Sequence, residues 1–416
     1  MHYFIYQDNE LYCEDVPVDR IAAEVGTPFY LYSASTIIRH YTVFTEAFAD
    51  VDHLVCYSVK ANSNLAVLKL LADLGAGADI VSGGELFRAL RAGISPDKIV
   101  FSGVGKKDEE IRFALESGIL MFNVESTSEL SALSRVAKDM DSVAPVALRV
   151  NPDVDPKTHP YISTGLKNNK FGISATEALS IYRQAAKMDH IQVVGADCHI
   201  GSQLTTSAPF GEAVTKLMEL VSVLDQEGME IRYIDVGGGL GIVYGEEAPP
   251  LPSDYADTIL DAVGDTEKTL IFEPGRVIVG NAGILVTRVL YNKKTAEKNF
   301  IIVDAAMNDL IRPCLYEAYQ EIRPVSRTER EEIIVDVVGP VCESTDYLAK
   351  DHKMFVVAEG ELLAVMGSGA YGFSMSSQYN SRPRVAEVMV RDDRFEVVRN
   401  RETFDDLVKG ERFFNG

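Results

Sequence analysis

Leu54-Val55-Cys56-Tyr57-Ser58-Val59-Lys60-Ala61-Asn62 is the stretch on which the fold turns. Its apolar first half has the composition of a buried strand. It ends on a lysine followed by Asn62-Ser63-Asn64, a run suited to capping a helix. Side chains alternate along a strand, so Lys60 is expected on the strand's end, facing the same way as Ser58 and Cys56. A lysine at the carboxyl end of a buried strand, before a turn into a helix, stands where parallel α/β barrels keep their reactive groups. Taken alone, a surface lysine that happens to end a strand is the commoner case. The surrounding chain decides between the two.

Outward from this point, strand and helix alternate. Strands are expected at 54–58, 77–81, 99–102, 121–124, 146–150, 193–199, 233–236 and 270–272. Helices are expected at 33–49, 65–74, 85–92, 108–116 and 211–226, with stops at Gly75, Gly93 and Gly118. Ser126 with Glu129 has the spacing of a capping box for one more. Eight such units over about 250 residues are the signature of a closed (β/α)8 TIM barrel. An open doubly wound sheet shares the alternation, but no GxGxxG follows the first strand. One long interruption, 151–170, is rich in Pro and Gly and follows the fifth strand; Tyr161, Ile162 and Phe171 are apolar anchors for a functional loop there.

Beyond about residue 280 the pattern changes to β-branched alternation, at 284–291, 300–303, 333–338, 354–358, 362–366, 385–390 and 395–398, with one helix expected at 308–320. This is a second, mostly antiparallel β domain. The expected division is 1–27 as an N-terminal segment joining the β domain, 28–279 as the barrel, and 280–416 as the β domain.

Composition limits the partners. The formal net charge of −22 argues against nucleic acid or an anionic membrane, since both select basic surfaces. Hydrophobic residues make up 46% of the 416, enough for a large core. The five cysteines, Cys13, Cys56, Cys198, Cys314 and Cys342, are odd in number and form no CxxC, which fits reduced thiols and no metal site. The first residues lack a signal-peptide pattern and no apolar run reaches the length of a membrane span, so a cytoplasmic protein is expected.

Gly237-Gly238-Gly239-Leu240-Gly241 follows the seventh strand and Glu273-Pro274-Gly275-Arg276 the eighth. Many α/β barrels build a phosphate site from the loops at these two places, and glycine lets backbone N–H groups approach an anion. A phosphate-bearing cofactor that forms a Schiff base with lysine, pyridoxal 5′-phosphate, would use both the cradle and Lys60. Glu273 would then hold the ring nitrogen protonated; read structurally, it is a buried acid paired with Arg149 or Arg276. His199, in His199-Ile200-Gly201-Ser202-Gln203, ends the sixth strand, where its flat ring could stack on the cofactor and Ser202 could donate to phosphate.

Together with Tyr57–Asn62, these motifs and Cys342-Glu343-Ser344-Thr345-Asp346, Gly369-Ala370-Tyr371-Gly372, His159-Pro160-Tyr161-Ile162-Ser163-Thr164-Gly165 and Met307-Asn308-Asp309-Leu310-Ile311-Arg312-Pro313-Cys314-Leu315-Tyr316 resemble the alanine-racemase-like, fold-type III pyridoxal-phosphate decarboxylases over nearly the whole chain. They look most like the members that act on meso-2,6-diaminopimelate to give L-lysine and CO2. The resemblance implies that Lys60 carries the cofactor, His199 stacks on it and Glu273 holds its ring nitrogen. It implies that Ser202, Gly239, Gly275 and Arg276 bind phosphate, with Tyr371 also on the cofactor and substrate. It gives Arg276, Arg312 and Tyr316 the substrate carboxylates, Glu343 the distal ammonium, and Cys342 the proton donated to the α-carbon. Cys342 and Glu343 would come from the partner subunit of a homodimer. Arg312 and Tyr316 are four apart, hence on one face if the segment is helical. The competing readings are a related decarboxylase of ornithine or arginine, and a non-catalytic carrier of the cofactor.

Overall fold

The computed structural model describes residues 2–155 and 170–414. The chain forms two compact units: His40–Val243 with Glu247–Val277, and Met1–Arg39 with Tyr244–Glu246 and Ile278–Gly416. No helix among the described residues is long and apolar enough to cross a membrane.

The first unit is a closed barrel. Its strands are His53–Ser58, Gly77–Ile80, Ile99–Phe101, Met121–Val124, Ala144–Asn151, Ile191–Asp197, Tyr233–Asp235 and Thr269–Phe272, each parallel to its neighbours. The eighth closes on the first through Phe272 opposite Val55. A short additional strand, Ile173–Ser174, pairs with the fifth. The expected strands are all present to within a few residues. The helices Ala175–Ala185 and Pro252–Val263, which complete the alternation, were not anticipated. Asn64 caps the helix Leu65–Asp73 by accepting from the N–H of Ala66. Ser126 likewise caps Thr127–Asp139 through the N–H of Glu129. Glu129, however, accepts the N–H of Glu125 rather than closing the box on Ser126.

The pleat sorts the interior into layers. Cys56, Val100, Met121, Ala147, Val194 and Ile271 form one buried apolar cluster. Two residues further along their strands, on the same side of the pleat, come Ser58, Ser102, Asn123, Arg149 and Glu273. The sixth strand joins this layer by another route. Its register against the fifth shifts between Val193 and Gly195, so one extra residue is accommodated and Asp197, three after Val194, also faces inward.

The second unit is a nine-stranded, mostly antiparallel sheet built around Gly283–Lys294. Phe29–Ser33 belongs to it, antiparallel to Gly283–Lys294 and parallel to Ala386–Arg391. The unit therefore extends past the expected boundary at residue 28, and the division falls inside the helix Ala34–Glu46. An all-buried strand leading straight into a helix has the pattern of a βα unit, which is why the sequence points to the barrel. Residues 4–17 form a separate three-stranded meander and Val18–Val25 a helix. Phe4, Leu11, Val16 and Ile21 share an apolar cluster with Phe29, Ile284, Val286 and Val388. The helix expected over 308–320 is only Arg312–Tyr316; Pro313 is accommodated in its first turn and Glu317, at φ 52°, ends it. The strand expected at 354–358 is Tyr347–Phe355, whose polar alternation belongs to the sheet's edge.

Glu14 ties the meander to its neighbours. Its carboxylate accepts from the hydroxyls of Ser33 and Ser35, at 2.7 Å each, and from the N–H groups of Ser35 and Asp392, at 2.9 and 2.7 Å. Replacing Glu14 by Ala strands these donors, and a loss of about 2–4 kcal/mol is expected from the urea midpoint at constant slope. An unchanged midpoint would mean water satisfies them equally well.

Candidate active site

The site is built from the polar layer and the loops beyond it. Lys60 does not lie on the strand. The strand ends at Ser58, and Val59–Ala61 form a 3-10 turn that carries the lysine. The two side chains nevertheless converge: Lys60 Nζ is 2.8 Å and Ser58 Oγ 2.7 Å from Asp79 Oδ2, on the second strand. Asp79 is fully buried, and its Oδ1 has no hydrogen-bond partner among the described residues.

Glu273 follows the eighth strand and is buried. Ser102 Oγ is 3.2 Å and Asn123 Nδ2 3.4 Å from its Oε1. Asn123 also donates to Asp235 Oδ2 at 2.9 Å. Arg149 does not pair with Glu273, as one reading of the sequence had it. Its guanidinium donates to Glu125 Oε1 at 2.8 Å, and Arg276 donates to Ser202 Oγ at 3.1 Å. Burial pushes the Glu273 carboxyl well above the usual range, and the negative charges of Asp235 and Asp79 add to it. Asp235 and Asp197 are raised for the same first reason, each further by neighbouring carboxylates.

His199 lies two residues past the sixth strand, and its Nδ1 accepts the N–H of Gly238 at 3.1 Å. In the neutral ring the proton is therefore on Nε2. Burial, then the charges of Arg149 and Lys60, push its pKa well below the ordinary value. Gly239 stands at φ 120°, and a Cβ there would lie 2.4 Å from the carbonyl oxygen of Gly201. A Cβ on Gly275 would lie 2.9 Å from Ser58 Cβ. Both loops therefore approach their neighbours as only glycine permits.

These residues fit pyridoxal 5′-phosphate at both ends. Among the described residues the N–H groups of Gly239 and Gly275 have no hydrogen-bond acceptor, as a phosphate cradle requires. The carboxyls of Asp197, Asp235 and Glu273 are all held above their usual range by desolvation, a cost that a cationic ring nitrogen placed among them would relieve.

The remaining expected residues lie in the β unit. Arg312 is buried, with its guanidinium 4.4 Å over the ring of Tyr244. Arg312 and Tyr316 open and close one helical turn, so the four-residue spacing does act through a helix. Cys342 and Glu343 are exposed; the N–H of Cys342 donates to Asn380 Oδ1 at 2.9 Å, and Tyr379 donates its hydroxyl hydrogen to Glu343. Tyr371 takes a positive φ of 55°. The 159–165 motif, with Tyr161 and Ile162, lies outside the described residues. Phe171 is described, and the Arg149 guanidinium sits 4.9 Å over its ring.

The sequence reading passed over Asp79, Ser102, Asn123, Glu125 and Asp235. Their signal was available: each is a polar residue within or at the end of an apolar strand. Because the folded ring of His199 has a depressed pKa, the unfolded chain takes up its proton first. The stabilising effect of the neutral ring is present above about pH 6.5 and lost as pH falls below it. Nitrogen NMR of histidine-labelled protein is expected to show an Nε2–H ring still neutral at pH 5.5; an imidazolium signal appearing near pH 6.5 would contradict this environment.

Comparison with known proteins agrees with the geometry. Residues 34–280 match the family model described as the pyridoxal-binding domain of pyridoxal-dependent decarboxylases. The chain is 54% identical to diaminopimelate decarboxylase of Vibrio cholerae, over 98% of each chain. It is 54% identical to that of Pseudomonas aeruginosa, over 99% of each. A crystal structure of diaminopimelate decarboxylase from Helicobacter pylori complexed with L-lysine superposes with a TM-score of 0.92 at 46% identity, covering 94% of this chain and 98% of that one. With its lysine, its glycine cradle and its buried acids on one barrel, the chain belongs to the diaminopimelate decarboxylase family of pyridoxal-dependent decarboxylases.

Proposed function

We propose that this chain releases CO2 from meso-2,6-diaminopimelate to form L-lysine, the final step of lysine biosynthesis, in the cytoplasm. The observation that carries this reading is the convergence of Lys60, Asp79, Glu273 and the glycine cradle on one barrel, in a chain half identical along its length to enzymes of that name.

Pyridoxal 5′-phosphate, attached at Lys60, supplies the sink for the electron pair left on the α-carbon when CO2 departs. The protein's own residues do the rest. Glu273 would supply the negative charge at the ring nitrogen, and the neutral His199 would offer its flat ring for stacking on the cofactor. Ser202, Gly239, Gly275 and Arg276 hold the phosphate, and Tyr371 contacts the cofactor. Arg276, Arg312 and Tyr316 hold the substrate's carboxylates; Glu343 holds its distal ammonium. The Cys342 thiol gives its proton to the α-carbon, and a thiol is suited to this because it exchanges protons near neutral pH.

Specificity follows from charge. Arg312 is buried, and a buried guanidinium pairs with a carboxylate. Diaminopimelate has a carboxylate at its far end, and ornithine has none. With added pyridoxal 5′-phosphate, CO2 release from meso-diaminopimelate is expected to exceed that from L-ornithine or L-arginine by at least about a hundredfold, the scale of one lost buried charge pair. Faster turnover of ornithine would overturn the assignment, and bound cofactor without turnover of any of the three would support a carrier.

The active enzyme is a homodimer whose sites are shared, with Cys342 and Glu343 reaching the partner's Lys60. Exposure of both residues on their own chain supports this arrangement. Lys60→Ala and Cys342→Ala subunits, each inactive alone, should regain about a quarter of wild-type activity when mixed, as random pairing leaves one intact site in half of the dimers. Absence of recovery in confirmed mixed dimers would place each site within one chain.

A further inference from the structure

Glu273 has two carboxyl oxygens in unlike surroundings. Oε1 lies 3.2 Å from Ser102 Oγ and 3.4 Å from Asn123 Nδ2. Oε2 takes no hydrogen bond from the described residues. The donors on the Oε1 side can be traced. Asn123 Nδ2 has two hydrogens and three acceptors within reach: Asp235 Oδ2 at 2.9 Å, Ser102 Oγ at 3.1 Å and Glu273 Oε1. In this orientation the amide hydrogens face all three acceptors, while the amide oxygen finds no partner among the described residues. Its nearest pair of acceptors are Asp235 and Ser102. Once Ser102 Oγ accepts from Asn123, its single hydrogen is directed to Glu273 Oε1. Asp235 is filled from the other side, since its Oδ1 accepts the N–H of Gly237 at 3.0 Å. Asn123 and Ser102 themselves are almost fully enclosed, at 0% and 6% exposure. They come from the fourth strand and the end of the third, so the donors sit on rigid elements.

We propose that Asn123, acting through Ser102, is a positioning residue for Glu273, committing Oε1 to the protein and reserving Oε2 for the ring nitrogen of bound pyridoxal 5′-phosphate. The inference rests on the placement of Glu273 at that nitrogen. Without the amide, the Ser102 hydroxyl is free to turn away and the carboxyl loses the partner that fixes its plane. Asp235 loses a donor at the same time, which pushes its already raised carboxyl further towards the protonated form.

A cofactor that lacks the ring nitrogen separates positioning from general support of the fold. Apoprotein is titrated with pyridoxal 5′-phosphate and with its 1-deaza analogue, in which carbon replaces that nitrogen, and dissociation constants are read from absorbance. Asn123→Ala is expected to weaken the natural cofactor about tenfold or more, the scale of one hydrogen bond to a charged group. It should change the analogue's affinity by less than about twofold, within the non-additivity of distant effects. Ser102→Ala, which removes only a hydroxyl, should show the same selectivity and serves if the asparagine variant does not fold. Equal weakening of both cofactors by either folded variant, or no weakening at all, overturns the proposal. Glu273→Gln is the control for the underlying reading. If it too weakens both cofactors equally, the placement of Glu273 falls and the inference with it. If it is selective while the Ser102 and Asn123 variants are not, only the positioning role falls.

Discussion

Asp79, Glu125, Asp197, Asp235 and Glu273 crowd one end of the barrel's interior, and this concentration of negative charge in a poorly solvated space governs what the barrel can hold. Arg149 neutralises Glu125 and the Lys60 ammonium neutralises Asp79. The carboxyls of Asp197, Asp235 and Glu273 remain, each driven towards its protonated form by burial. A buried acid without a counter-ion is costly to ionise, and the cost falls when a cation arrives. The barrel thus discriminates in favour of a ring that carries positive charge at one end and phosphate at the other. His199 completes this from the side: lodged near two cations, it stays neutral and adds no competing charge.

Nearly all of the barrel was legible in the sequence, because its signal is local. Each strand is a short apolar run between turn residues, and the count of eight closes the sheet. Phe29–Ser33 was misplaced for the same reason. It is apolar throughout and leads into a helix, so nothing local distinguishes a strand of the β unit from one of the barrel; its partners, around Leu285 and Val388, are more than 250 residues away. Lys60 stands on the turn after the strand rather than at its end, yet it and Ser58 reach the same carboxylate oxygen, the shared direction that strand alternation suggests.

The site divided along similar lines. Residues in glycine-rich or punctuated motifs, such as Gly239, Glu273 and His199, announce themselves. Asn123 and Asp79 do not: each is one polar residue inside a strand of three or four buried ones, Met121–Val124 and Gly77–Ile80. Such a residue reads as a weak point in an apolar run. Only closure of the barrel brings it opposite partners from distant strands and turns it into part of a network. In the β unit the short helix Arg312–Tyr316 gave the converse lesson. The sequence suggested a longer helix, but a left-handed Glu317 ends it after a little over one turn, and one turn is enough to align the two side chains.

The extra residue in the sixth strand has a consequence for how this barrel tolerates change in length. Because the pleat is offset at Val194, the strand presents an aliphatic side chain to one layer and an acid to the next with an odd spacing that regular alternation forbids. Deleting one residue at the offset itself only removes the bulge: Asp197 then stands an even two places after the inward position, still opposite Arg149, and keeps facing the interior. Removing Ala196, beyond the offset, instead moves Asp197 into the outward place of the pleat and carries its carboxyl towards the surrounding helices. A change of one amino acid in length is therefore absorbed at the offset, but a residue or two later it reverses which side of the wall is acidic.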